Sequence, residues 1–263
     1  MHRKIESLRF IALSSLSINN INRNHLKSTT LLDMNKKEYE FREFVNACNQ
    51  NQFIIGQGNP LSNILIIGCE PNDTDELKIN NKTHTNECLN NINGKSFKDL
   101  WKFHKKRNEG WTWSKYQKII NVVYPDRKHI NGIIDFEEMA FCTELNNVCA
   151  RHSADADKST ISSKLDLFRT SNFIQSFPVV ILACGRYINN YGEDRQIDDT
   201  FGVKYFQDGG SELKQNYWIH YSINPDSPKL VIHTRQLSGP IKNDLLFNIG
   251  KTIKEFLESI KLP

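Results

Sequence analysis

No two of the six cysteines, Cys48, Cys69, Cys88, Cys142, Cys149 and Cys184, stand as C-x-x-C. Several fall in apolar runs, and the set reads as buried free thiols in a reducing cytoplasm rather than as disulfides or a metal site. No stretch approaches the roughly 18 apolar residues of a membrane span. The chain has no G-x-G-x-x-G after a strand and no phosphate loop ending in G-K-S or G-K-T, so the common nucleotide-binding signatures are missing. Strong charge of one sign is missing as well. Of the net +4, Met1 to Asp33 supplies five Lys or Arg against two acids, so the remainder is +1. The short apolar run L-R-F-I-A-L near the start is interrupted and has no clean cleavage site after it, so it does not read as a signal peptide. Residues 1–33 read as a flexible extension and residues 34–263 as a single domain, long enough to bury a full core.

Against these absences one stretch stands out. In N-I-L-I-I-G-C-E-P-N, Asn63 to Asn72, four apolar residues run into Gly68, and Glu70 and Pro71 follow at once. A buried strand delivers a polar group to its C-terminal rim in this way. Three similar runs follow: Met139 to Leu145, containing Glu144; Pro178 to Gly185; and Lys229 to Thr234, containing His233. Helical spacing appears at Phe41, Phe44, Val45 and Cys48, across residues 96–104, from Thr112 to Pro125, from Ser159 to Phe177, and after Pro240. Strands alternating with helices predict a three-layer α/β/α sandwich with a central, mostly parallel four-stranded sheet. Residues 201–207 and 216–223 predict an added hairpin. Ligands in such sheets bind beyond the carboxyl ends of the strands, where Glu70, Glu144 and His233 should converge.

G-C-E-P-N followed by H-T-R-Q-L-S resembles the two signature motifs of the uracil-DNA glycosylase superfamily, G-Q-D-P-Y and H-P-S-P-L-S. The second aligns without a gap, matching at His233, Leu237 and Ser238. The lead-in G-Q-G-N-P, the segment G-K-S-F and the segment A-F-C-T-E resemble counterparts in the branch that carries G-E-A-P-G. The resemblance implies a monofunctional DNA glycosylase without cofactor or metal, acting on DNA as a monomer away from membranes. It assigns catalysis to Glu70, beside the sugar, and to His233, donating to the base O2. Base binding falls to Phe97 as stacking platform, to Glu144, and to Asn72. The DNA contacts are Gln57, Arg235, Ser238 and Leu237, the last as a wedge. Lys105 and Arg107 join them from the basic, aromatic stretch Lys95 to Lys118, which holds eight Lys or Arg and two acids.

The departures from the family pattern bear on substrate. Uracil-reading members place an Asn amide where this alignment puts Glu144, and an ionised carboxylate only accepts, which suits cytosine N4. A shifted register would restore an amide through Asn146 or Asn147. Asn72 replaces the tyrosine that crowds the base C5. The expected substrate is therefore a modified or damaged pyrimidine, including modified cytosine in foreign DNA. Plain uracil repair, a non-catalytic nucleic-acid-binding module on this fold, and an unrelated nucleotide-binding α/β domain are the alternatives.

Overall fold

The computed structural model describes residues 36–70, 106–107, 111–127, 133–150, 155–191, 193–210 and 215–260, with residues 106, 107, 111 and 133 described in their backbone alone. The chain falls into two units, Met1–Tyr39 and Glu40–Pro263, and the strands belong to the second. The helix expected over 96–104 lies outside the described residues.

The strands are β1 (Gln57–Gly58), β2 (Ile64–Gly68), β3 (Lys106–Arg107), β4 (Ile133–Ile134), β5 (Phe141–Glu144), β6 (Val179–Leu182), β7 (Val203–Asp208), β8 (Tyr217–Ser222) and β9 (Leu230–Thr234). The helices are α1 (residues 36–50), α2 (Trp111–Val123), α3 (Ile161–Thr170), α4 (Asn172–Gln175), α5 (Gln196–Phe201) and α6 (Asn243–Ser259). One sheet runs in the order β1-β5-β2-β6-β9-β8-β7, and β3 pairs with β4 in a second. Strands β5, β2, β6 and β9 are mutually parallel. They are the four runs read from the sequence. The sheet is larger than four strands because the expected hairpin, β7 and β8, continues antiparallel from β9, and because β1 adds an antiparallel edge to β5. A turn-like G-Q-G conceals that edge strand: Gly56 and Gly58 both have positive φ, and a side chain on either would strike a carbonyl of the β5 segment.

Every residue of β2, β6 and β9 is buried, as expected for strands covered on both faces. Alternate residues divide between two cores. Leu65, Ile67, Val180, Leu182 and Val231 pack with Phe41, Phe44, Phe168, Phe173 and Phe201 on one side. On the other, Ile64, Ile66, Ile181 and Ile232 pack with Ile119, Ile120, Ile249 and Ile253 from α2 and α6. The result is the three-layer sandwich. The single helix expected from Ser159 to Phe177 is two, because Ser171 leaves the helical region and its hydroxyl caps the next turn at Ile174 N (3.4 Å).

The α2–α6 contact depends on Gly250, where a Cβ would lie 2.6 Å from Val122 Cβ and 2.9 Å from Ile119 O. Alanine is the better helix former by about 1 kcal/mol, but overpacking costs about 1–3 kcal/mol. Gly250→Ala should therefore lower the denaturation midpoint in urea; a raised midpoint would mean that the helices part without cost.

Candidate active site

The four parallel strands end on one edge of the sheet in the spatial order Glu144 (β5), Glu70 (just past β2), Gly185 (just past β6) and His233 (within β9). Glu70 and Glu144 thus stand on neighbouring strands, while β6 separates Glu70 from β9. Two strand spacings are about 10 Å.

Glu144 lies in register with Gly68, and its carboxyl folds over the glycine. A Cβ at Gly68 would lie 2.9 Å from Glu144 Cδ and 3.0 Å from Oε1. No hydrogen bond joins the Glu144 side chain to any described residue. Burial pushes this carboxyl up to about 8, the Glu70 charge adds to the rise, and Lys164 opposes it. The rise favours the protonated form, whereas the acceptor-only reading holds for the ionised one. A neutral carboxyl donates through O–H and accepts through C=O, as an amide does.

The linkage sign is fixed by that rise. A carboxyl whose folded value exceeds its ordinary 4.5 stabilises fully below the ordinary value and loses its contribution as pH climbs through about 8. Compared with Glu144→Gln, the unsubstituted protein should lose melting temperature steadily over that window and no further above it. A constant difference across the window would mean that Glu144 ionises as an exposed glutamate does.

Asn147 is fixed rather than free to swing. Its Oδ1 accepts from Ile54 N (2.9 Å) and from Lys164 Nζ (3.3 Å), and its Nδ2 is buried without a hydrogen-bond partner. Asn146 is fully buried and structural: Nδ2 donates to Asp157 O (2.8 Å), and Oδ1 accepts from Thr160 Oγ1 (3.0 Å). Lys164 also donates to Ile54 O (2.6 Å) and sits 5.0 Å from the Phe53 ring centroid. Burial brings it down to about 8. Helical periodicity gives Lys164 no distinction from its solvated neighbours, so sequence reasoning misses it.

His233 is 7% exposed, and its Nε2 lies 2.7 Å from Gly185 O. A carbonyl only accepts, so Nε2 carries the proton and Nδ1 is the acceptor. Burial pulls the imidazole down to about 4 against the Gly185 hydrogen bond, and His220 lowers it further. His233 is therefore neutral, and the N–H expected to meet the base is already engaged. Across the β8–β9 ladder Trp218 stands opposite, with ring centroids 5.2 Å apart. The sequence cannot single out this indole without the register of the hairpin.

Leu237 is corrected as a wedge. It is wholly buried in the α2–α6 core, where it packs and cannot meet DNA without leaving. Lys115 Nζ holds the same turn, donating to Leu237 O at 2.7 Å and to Gly239 O. Arg235 and Ser238 are exposed on this turn, and Gln57 pairs with Cys142 at the sheet edge, short of the β5 end. Asn72, Phe97 and Lys105, and the side chain of Arg107, lie outside the described residues.

Comparison with family models, with curated proteins and with solved structures gives no match. Geometry alone has to carry the reading. Among the described residues no group of three His, Cys, Asp or Glu side chains could hold a metal ion, and no helix is long and apolar enough to cross a membrane. The five described cysteines are free thiols; burial raises Cys48 to about 11 and raises Cys69 and Cys184 as well, which keeps these three protonated and unreactive.

Proposed function

We propose that this protein hydrolyses the N-glycosidic bond of a pyrimidine nucleotide extruded from DNA. The observation that carries the reading is the pair of carboxyls on adjacent parallel strands, with Glu144 lodged over Gly68 and raised by burial and by the charge of Glu70. Two carboxyls in one site divide their labour when their environments differ. Glu70 faces the sugar, stabilises the positive charge that develops there and orients water. Water oxygen bonds C1′ as the C1′–N bond breaks, the electron pair leaves with the base, and the proton of the water passes to Glu70 or solvent.

Neutral Glu144 reads the base edge in either of two ways. It accepts from N3–H and donates to O4 of a uracil, or donates to N3 and accepts from N4–H of a cytosine. The substrate class is thus a pyrimidine, modified or damaged, with uracil and substituted cytosine both compatible. His233 turns its N–H from Gly185 O to the base O2 as negative charge grows there.

Labelled oligonucleotides carrying uracil, 5-substituted pyrimidines or hypoxanthine, treated with alkali after incubation, test the reading. Strand cleavage at a pyrimidine lesion is expected; intact strands with all of them would overturn it. The commitment of the His233 N–H to Gly185 O favours a second reading, a nucleic-acid-binding module without turnover, which retained binding with no released base would select.

A further inference from the structure

Three cations stand at the edge of the sheet where the parallel strands end, one of them, Lys158, in the segment whose Asp157 and Thr160 hold Asn146. The 3-10 turn Gly185–Tyr187 follows β6. At one end of it, Lys158 Nζ lies 4.9 Å from the centroid of the Tyr187 ring. At the other, Gly185 abuts the turn after β9, a Cβ built on it falling 3.5 Å from Gln236 N and 4.0 Å from Arg235 Cα. Arg186 lies between. Lys158, Arg186 and Arg235 are all exposed, and none of the three makes an ion pair or a side-chain hydrogen bond with a described residue. The acid next to Lys158 in the chain, Asp157, is occupied in capping Ser159 N (2.9 Å). By contrast, Lys251, Lys254 and Arg169 on the helical faces have Glu255, Glu258 and Asp166 as partners.

The turn that carries Arg186 is anchored at both ends. Cys184 and Ile188 bracket it in the core, and Tyr187 packs against the same core. Three positive groups without acidic partners, on abutting turns at the ligand edge of a parallel sheet, have a polyanion as their natural complement, because each phosphate they neutralise releases a counterion. Guanidinium groups, planar and always charged, suit phosphate oxygens in particular.

We propose that Lys158, Arg186 and Arg235 form a track for consecutive phosphates of a nucleic-acid strand, running across the ends of β6 and β9 beside His233. The inference rests on the glycosidic reading and deepens it by placing the backbone of the strand; the sequence motifs point to only Arg235 of the three.

The test is fluorescence anisotropy of end-labelled single-stranded and duplex oligonucleotides over a range of salt, for the unsubstituted protein, the triple variant K158Q/R186Q/R235Q, and a control variant K251Q/K254Q. Loss of three phosphate contacts should flatten the log–log salt dependence by roughly two to three and weaken binding more than tenfold at low salt, with the control unchanged. An equal salt slope in triple variant and control, or no binding by the unsubstituted protein, would overturn the track. Excised base with an unaltered slope would sink the track and leave the hydrolase standing; a slope that falls with no base released would do the reverse. Exposed side chains carry the substitutions, and an unchanged melting temperature confirms that folding is intact.

Discussion

Glu70→Gln should cut base excision by about a thousandfold or more while leaving the melting temperature nearly unchanged. The amide keeps the shape of the carboxylate and removes its charge. In the proposed reaction that charge acts where positive charge develops on the sugar and where water must be oriented, contributions of about 10²- to 10⁴-fold in comparable sites. The substitution has a second signature. Glu70 raises Glu144, so removing its charge should move the titration of Glu144 to lower pH. Single-turnover assays on a lesion-bearing oligonucleotide measure the first effect, and the pH dependence of stability measures the second. Full turnover in Glu70→Gln would end the catalytic assignment.

Gly68→Ala should disturb the site through Glu144. The added methyl group cannot coexist with the present position of the Glu144 carboxyl, whose Oε2 and Cδ both fall too close to the Cβ position, and β2 cannot retreat because every one of its residues is buried. Glu144 has to swing off the glycine. Because the clash is with the end of a flexible side chain, the stability cost should stay at or below the low end of overpacking, about 1 kcal/mol. Displacing a substrate-reading group by about 1 Å is enough for a hundredfold loss of rate. Urea denaturation and excision assays should therefore both register the change, whereas an unaffected rate would place Glu144 outside the base pocket.

The layers of this fold are legible in the sequence because apolar runs such as Ile64 to Ile67 and Val179 to Leu182 have no reading other than strands covered on both faces. The rim is legible for the same reason: a strand that ends in Gly-Cys-Glu announces where its carboxylate goes. Protonation is not. Nothing in A-F-C-T-E says that Glu144 will lie over a glycine of the neighbouring strand, since that depends on β2–β5 register, a long-range property. Leu237 misleads because a loop position next to exposed Arg235 and Ser238 looks exposed too, and only the α2–α6 packing decides otherwise. Trp218 and Lys164 stay invisible for a related reason: each gains its meaning from a partner elsewhere in the chain, His233 and Asn147 respectively.

The grip of Lys115 on the carbonyls of Leu237 and Gly239 has a consequence for motion. Hydrogen bonds from a charged donor contribute about 1.5–3 kcal/mol each, so opening this turn costs about 3 kcal/mol at least, and fewer than about one molecule in a hundred has it open at any moment. The anchor sits on α2, whose own position is set by close contact with α6 at Gly250. The turn after β9 therefore travels with a pair of packed helices rather than fluctuating as a loop. For a strand bound as proposed it would be a fixed jaw.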